Sequence, residues 1–107
     1  MNIIWFKDCS YKNKHLVGGK NASLGELYHL SKTLNFKIAN GFAITTDLYN
    51  KFIENNKLNN LVEEAMNSVN VDDIEELNNK SEYIKDLFNN ALFTEDQINE
   101  ILNQIFF

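Results

Sequence analysis

The stretch LVGGKNASLGEL, residues 16–27, places two adjacent glycines and a lysine ahead of an amphipathic pattern. Paired glycines permit backbone dihedral angles that other residues avoid, so Gly18 and Gly19 predict a tight passage of the backbone after Val17. From about Asn21 the spacing of the leucines predicts a helix. The stretch is therefore predicted to be a glycine loop that leads into a helix.

The start of this helix has an alternative. Ser23 and Glu26 have the spacing of a capping box, in which a hydroxyl and a carboxylate satisfy backbone N–H groups at a helix N-terminus. If this pair forms the cap, the helix begins a little later than Asn21. Both starts keep the glycines outside the helix.

Gly18, Gly19 and Lys20 have the ingredients of a phosphate site. A glycine pair lets backbone N–H groups approach an anion, and the N-terminus of the following helix adds positive partial charge. Lysine supplies a mobile positive charge. The sequence lacks the Walker pattern G-x-x-x-x-G-K-[ST]. Local chemistry alone leaves two interpretations open: Lys20 holds a phosphate, or it is a surface lysine near a turn.

Short apolar runs on either side of this stretch predict strands. Residues 3–6 (IIWF) are β-branched and aromatic, and residues 42–44 (FAI) predict a second core strand. The polar residues 8–14 predict a loop. Residues 36–45 are predicted to be extended, with a turn at Asn40 and Gly41.

The second half of the chain predicts helices separated by polar breaks. Thr45 or Thr46 can cap the first of them, Asp72 with Glu75 resembles a capping pair, and Thr94 with Gln97 forms a capping box. The apolar positions of the four helices are Leu48, Tyr49, Phe52 and Ile53; Leu58, Leu61, Val62, Ala65, Met66 and Val69; Ile74, Leu77, Ser81, Ile84, Leu87, Phe88 and Ala91; and Ile98, Ile101, Leu102, Ile105 and Phe106.

These elements predict an α+β fold that is mostly helical, with two or three short strands packed by four or five helices. Helices must cover so small a sheet, because two or three strands alone are not stable. At 107 residues the chain is predicted to be a single domain, residues 1–107.

Composition limits the function. The net charge is -5, which argues against nonspecific binding to nucleic acid. All ten basic residues are lysines, so no arginine of this chain can clamp a phosphate. Cys9 is the only cysteine, which rules out an intrachain disulfide and suits the cytoplasm. No apolar run approaches the length of a membrane span, and we expect no signal peptide and no membrane partner.

Other chemically capable residues have simpler interpretations. His15 and His29, without a third ligand pattern, do not predict a metal site, and His29 is expected to face solvent. Cys9 is interpreted as a small, half-buried residue rather than a nucleophile. Solvated helix faces are the interpretation of the acidic pairs Glu63 and Glu64, Asp72 and Asp73, and Glu75 and Glu76.

Two longer strings, VGGKNASLGEL and NGFAITTDLYNKFI, resemble a known family. They are similar to the N-terminal nucleotide-binding domain shared by phosphoenolpyruvate synthases (pyruvate, water dikinases), pyruvate phosphate dikinases and rifampicin phosphotransferases. In that family a strand with an aromatic pair, here residues 4–6, precedes the motif G-G-K-x-A-x-L-G-E. A segment of the type V-P-x-G-F-x-I-T follows, here residues 38–45, and then an aromatic-x-x-Phe element, here Tyr49 to Phe52.

The resemblance implies an ATP-grasp-like domain in which Lys20 contacts ATP phosphates, with Gly18, Gly19 and Asn21 beside it. The cofactor implied is ATP with Mg²⁺. Family enzymes use ATP to phosphorylate a histidine on a separate domain, and the phosphate then passes to pyruvate. The chain departs from the pattern at Ala39, where the family has proline, and it lacks the family's phosphate-binding arginine. The magnesium ligands and the phosphohistidine domain are expected beyond position 107.

We therefore expect an N-terminal ATP-binding segment of a phosphoenolpyruvate synthase-like phosphotransferase, inactive alone, whose partners are a nucleotide and the remaining domains of the parent enzyme. The alternative is a standalone α+β binding module, or a subunit of a split enzyme, that docks a partner through the apolar end at residues 105–107. In a third interpretation the glycine motif is inherited but idle.

Overall fold

A computed structural model of the protein describes residues 1–106. It forms two compact units, the first being Met1–Asn50 and the second the described residues from Lys51 onward. Over the described residues there are two strands and five α-helices, so the predicted mostly helical α+β class is confirmed. The prediction of a single domain stays a prediction.

The sheet of the first unit is a two-stranded antiparallel ribbon of β1, Ile3–Trp5, and β2, Phe42–Ile44. Ile4 pairs with Ala43, and these two side chains are buried, whereas the register also sets Trp5 opposite Phe42. The Trp5 and Phe42 rings lie with their centroids 5.1 Å apart, in the range that favours aromatic pairs. Both predicted strands are present, and β1 is one residue shorter than predicted.

The predicted polar loop contains two short 3₁₀ helices, Phe6–Asp8 and Tyr11–Asn13. Ser10 begins the second one, because its backbone N–H donates to Asn13 Oδ1 at 2.9 Å and its hydroxyl accepts from Lys12 N–H at 3.2 Å. The Asn13 amide also donates to the Asp8 carbonyl at 2.9 Å. These bonds give the polar stretch a fixed shape.

The longest helix, α1, spans Lys14–Ser31 and is broken at Gly18. The predicted helix start at Asn21 was late, since helical backbone lies on both sides of a break that occupies one residue. Ser23 lies inside the helix rather than at its N-terminus, so the capping-box alternative was wrong.

The turn after α1 differs from the prediction. It covers residues 32–35, where Asn35 adopts a positive φ of 56°. Asn40 and Gly41 lie instead in irregular backbone that runs directly into β2, and φ of Gly41 is not positive. The predicted turn at this dipeptide was therefore wrong.

The core of the first unit lies between the ribbon and α1. It consists of small and β-branched side chains with Phe6 and Leu16 packed against it, and its buried members are Ile4, Cys9, Val17, Ala22 and Ala43. Next to it, Thr45 is buried and donates its hydroxyl to the Met1 carbonyl, so this side chain fastens the N-terminus. The helix α2, Thr46–Asn55, follows immediately.

The helices of the second unit begin and end close to the predicted breaks. After the interruption at Asn56 and Lys57, α3 is Leu58–Asn67, α4 is Ile74–Asn90 and α5 is Glu95–Ile105. The capping box of Thr94 and Gln97 is confirmed by two bonds of 3.0 and 3.2 Å. Asp73, rather than Asp72, caps α4 by accepting from Glu76 N–H.

The side chain of Asn56 holds the link between α4 and α5. Asn56 donates to the Leu92 carbonyl at 2.9 Å and accepts from Leu92 N–H at 3.1 Å. Next to this pair the rings of Phe52 and Phe93 lie 4.7 Å apart. Of the predicted apolar tail, Phe106 is exposed and Phe107 lies outside the described residues.

Among residues 1–106, no helix has both the length and the apolar character that crossing a membrane would need.

Candidate functional site

Gly18 creates the break in α1. Its φ of 83° and ψ of 167° fall in a region that is essentially limited to glycine. A β-carbon at this position would meet no atom within 4 Å, so the glycine is required by its backbone angles and not by lack of space. The predicted tight passage of the backbone is present, concentrated in this one residue.

The helix that restarts after Gly18 presents its positive end at Gly19 and Lys20, both of which are exposed. Asn21 is half-buried, and its side-chain amide donates to the Val17 carbonyl at 2.9 Å, across the break. Gly18, Gly19 and Lys20 thus lie together at the surface. Through this bond the Asn21 side chain holds the two sides of the break together.

An open cleft of about 560 Å³ lies beside this helix start. It has an apolar part at Leu24 and Leu27 and a polar part that includes both lysines of the region. The residues that line it are Tyr11, Lys14, Gly19, Lys20, Ser23, Leu24 and Leu27. The cleft therefore brings together two of the predicted site residues, Gly19 and Lys20, with polar side chains from the 3₁₀ segment and the first turn of α1.

Lys14 is a charged residue of the cleft that the sequence did not predict as part of the site. Its Cε lies 3.6 Å from the position that a β-carbon on Gly19 would occupy. The signal available in the sequence was a second lysine in the polar stretch just ahead of the glycine motif. Polar loops commonly contain exposed lysines, so that signal is weak without the fold.

The small residues of the motif build the wall of the cleft. Gly25 faces Cys9 so closely that a β-carbon would lie 2.0 Å from the Cys9 carbonyl oxygen. Ala22, one helical turn earlier, is fully buried. Together they let the backbone of the 3₁₀ segment lie against α1, which places Tyr11 over the helix.

Two polar residues of the motif hold Tyr11 in place. Glu26 Oε1 accepts the Tyr11 backbone N–H at 3.1 Å, and the Tyr11 hydroxyl lies 3.1 Å from Ser23 Oγ. The serine and glutamate that suggested a capping box are thus used to attach the preceding segment. Their role here is structural, and they fix one edge of the cleft.

Residues of the second motif, Gly41 and Thr46, contact the segments that precede the Gly18 break. A β-carbon on Gly41 would lie 2.9 Å from the Phe6 ring, and the Gly41 carbonyl accepts the Phe6 N–H at 2.9 Å. Thr46 Oγ1 donates to the His15 carbonyl at 3.1 Å, in the turn that precedes the break. The Thr46 bond therefore anchors the turn of α1 ahead of Gly18, while the Gly41 contacts fix the position of Phe6.

The remaining candidates take no part in this cleft. His15 and His29 are exposed, as are the acidic pairs except for the half-buried Glu76, which fits their interpretation as solvated faces. Cys9 is fully buried, more than predicted, and burial together with the charge of Asp8 raises the pKa of its thiol, which disfavours a nucleophilic thiolate. Within residues 1–106 no group of His, Cys, Asp and Glu side chains could hold a metal ion.

A helix start that follows a glycine break, with a lysine beside an open cleft, has the ingredients of a phosphate site. Residues 14–106 match the family model described as "Pyruvate phosphate dikinase, AMP/ATP-binding domain", and the chain belongs to that family. The resemblance inferred from the two motifs is thereby confirmed. The description of the family names the binding of AMP and ATP.

Individual relatives agree with this assignment. The chain is 34% identical over 99 residues to the phosphoenolpyruvate synthase of Helicobacter pylori, covering 92% of this chain and 12% of that enzyme. It is 32% identical over 75 residues to the Escherichia coli phosphoenolpyruvate synthase, covering 70% of this chain and 10% of that enzyme. A probable phosphoenolpyruvate synthase of Methanocaldococcus jannaschii is 32% identical over 94 residues, 88% of this chain and 8% of the relative. The chain spans about a tenth of the length of these relatives.

Proposed function

We propose that the chain is an ATP-binding segment of a phosphoenolpyruvate synthase-like phosphotransferase, and that Gly18, Gly19, Lys20 and Asn21 form its phosphate site. The observation that carries this proposal is the position of Gly19 and Lys20 on the cleft, directly after the Gly18 break. An anion there would meet the positive helix end and the lysine charge at once.

Each of the four residues has a defined part in this proposal. Gly18 supplies the backbone angles that turn the helix end toward the surface. Gly19 has no side chain to shield the backbone, and Lys20 supplies the positive charge. Asn21 acts through its bond to the Val17 carbonyl, which stabilises the break, rather than by contacting phosphate with its side chain.

The fit of the chain to Mg²⁺ is different from its fit to phosphate. Mg²⁺ prefers carboxylate and other oxygen ligands, and no carboxylate of residues 1–106 lines the cleft. ATP would bind as its magnesium complex, with protein ligands to the metal supplied by other parts of the parent enzyme. The part proposed for the residues of this chain is to hold the phosphates.

The complete reaction is proposed for the parent enzyme and not for this chain. There, ATP would phosphorylate a histidine of another domain and the phosphate would pass to pyruvate, in an ATP-grasp-like arrangement located in the cytoplasm. Lys20 would contribute electrostatic stabilisation, and losing one such group typically costs about a hundred- to a thousandfold in rate. We expect no phosphoryl transfer to pyruvate by the 107-residue chain.

A second candidate function is a binding module that docks a partner, including the remainder of a split enzyme. One observation favours it: on α5 the apolar side chains of Ile98, Leu102 and Ile105 are between 41% and 53% exposed. A monodisperse, folded monomer that shows no affinity for other parts of a phosphoenolpyruvate synthase would contradict this candidate.

The proposed function is tested by titrating the ¹⁵N-labelled chain with Mg-ATP and following the backbone amides by NMR. Saturable shifts are expected at Gly18, Gly19 and Lys20, and they should be lost in Lys20→Ala. Lys37→Ala is the matched control, because Lys37 is exposed and lies away from the cleft lining. A well-dispersed spectrum without shifts would refute ATP binding by this chain.

A further inference from the structure

We propose that Lys14, which lies outside the glycine motif, is a second phosphate-binding cation and makes the cleft favour nucleoside triphosphates over monophosphates. This inference rests on the proposed function of the cleft and deepens it. It concerns which nucleotide the site selects, a property that Lys20 alone does not determine.

The geometry places Lys14 on the same side of Gly19 as the cleft. Its Cε lies 3.6 Å from the β-carbon position of Gly19, and Lys14 and Lys20 both line the cleft. A phosphate chain that begins at the Gly19 and Lys20 helix end and continues along the cleft therefore runs toward Lys14.

Both lysines are available to an anion. Within residues 1–106 neither the Lys14 nor the Lys20 ammonium forms an ion pair or a hydrogen bond. Among the residues that the structure describes, no carboxylate lines the cleft, although Glu26, which accepts the Tyr11 backbone N–H, lies at its edge. The other polar side chains of the lining are the hydroxyls of Tyr11 and Ser23. In a chain of net charge -5, this cleft is a local concentration of positive charge.

The selectivity follows from the ligand's charge. A single phosphate group carries about two negative charges at neutral pH, and each further phosphate adds to them. The Coulomb energy between a lysine and its ligand grows with the ligand charge, so removing Lys14 must weaken triphosphate binding more than monophosphate binding. Because Lys14 is exposed, the expected loss is modest: about three- to tenfold for ATP and less than about twofold for AMP.

Lys12 offers a matched control. It is an exposed lysine in the adjacent 3₁₀ helix Tyr11–Asn13, and it does not line the cleft. Lys12→Gln and Lys14→Gln change the net charge of the chain equally. A difference between them therefore reports the position of the charge and not its total.

The experiment titrates ATP and AMP into the wild-type 107-residue chain and into Lys14→Gln, Lys14→Arg and Lys12→Gln, with affinities from amide shifts and a dispersed spectrum as the check of folding. We expect Lys14→Gln to lose about three- to tenfold in affinity for ATP and less than about twofold in affinity for AMP. Lys14→Arg should keep the ATP preference because it keeps the charge, and Lys12→Gln should match the wild type.

Failure of this inference is distinct from failure of the proposed function. Suppose that the wild type binds ATP. If Lys14→Gln then binds ATP with the same affinity, or loses affinity for ATP and AMP to the same extent, the role of Lys14 is refuted while the phosphate site stands. If Lys12→Gln lowers the affinity for ATP as much as Lys14→Gln does, only the overall charge matters and the inference is refuted. If the wild type binds neither nucleotide, the proposed function fails and the inference fails with it.

Discussion

The α-carbon of Gly25 and the carbonyl of Cys9 are so close that no side chain fits between them: a β-carbon on Gly25 would lie 2.0 Å from the Cys9 oxygen. The atoms in the way belong to backbone, which cannot swing aside as the end of a flexible side chain can. The glycine of the L-G-E string therefore allows the segment before α1 to pack on the helix.

Replacing Gly25 with alanine should destabilise the protein, because α1 and the Cys9 backbone must move apart. Overpacking of this kind typically costs about 1–3 kcal/mol, and we expect the upper part of that range or more. The measurement is urea unfolding followed by far-ultraviolet circular dichroism. Gly19→Ala is the control: its β-carbon meets only Lys14 Cε at 3.6 Å, and alanine favours a helix by up to about 1 kcal/mol over glycine. Equal stabilities for the two variants would contradict the packing argument.

Replacing Gly18 with L-alanine should also destabilise the protein, by about 1–3 kcal/mol, for a different reason. Nothing lies within 4 Å of the added methyl group, so the cost comes from the φ of 83° alone. D-alanine, introduced by chemical ligation, favours positive φ and should retain or increase the wild-type stability. A D-alanine variant as unstable as the L-alanine variant would show that space, rather than backbone angle, limits this position.

Replacing Asn56 with alanine should destabilise the second unit by about 1–3 kcal/mol, because the Leu92 N–H and C=O both lose their side-chain partner. Hydrogen exchange at the Leu92 amide should become faster. Asn56→Asp should not restore stability, since a carboxylate cannot donate to the Leu92 carbonyl. Asn59→Ala, at an exposed position in α3, should change the unfolding free energy by only a few tenths of a kcal/mol. Unchanged exchange at Leu92 in Asn56→Ala would contradict this role.

The buried thiol of Cys9 should make stability fall at alkaline pH. Burial, and to a smaller degree the charge of Asp8, raises the pKa of Cys9 in the folded protein. Below about pH 8.5, the ordinary pKa of a thiol, both states keep the proton and Cys9 adds no pH dependence. Above it the unfolded chain loses the proton first, so the free energy of unfolding declines. Comparing wild type with Cys9→Ala from pH 7 to 10 isolates this contribution, and parallel curves would contradict it.

The sequence predicted those features that depend on neighbouring residues. The two strands, the breaks between helices and the capping box of Thr94 and Gln97 follow from local periodicity and hydrogen bonding, and all are present. The glycine passage was also predicted, although not its confinement to Gly18. Backbone freedom marks a glycine as permissive without fixing which of two adjacent glycines uses it.

The features that depend on packing were missed. Gly41 suggested a turn, yet its small size allows the Phe6 ring to approach the backbone. Either role requires glycine, so the sequence alone does not distinguish them. Ser23 and Glu26 suggested a helix cap, yet they bind Tyr11 from a segment that folds back onto them. Lys14 joins the cleft only because that same fold-back exists. Local rules cannot identify partners that tertiary structure brings together.

The backbone ahead of β2 also limits the chemical stability of the protein during storage. Gly41 N–H donates to Asn40 Oδ1 at 2.9 Å, so this amide nitrogen lies beside the side-chain carbonyl group of an exposed asparagine. Asparagine is a thermolabile residue. Here Gly41 N can form a bond to Asn40 Cγ as the Cγ–Nδ2 bond breaks and ammonia leaves, and water then opens the ring to aspartate or isoaspartate. Isoaspartate at position 40 adds one main-chain atom two residues before Phe42, whose pairing with Trp5 requires the original spacing. We therefore expect stored protein to accumulate this modification at Asn40 and to lose the pairing of Trp5 with Phe42 first.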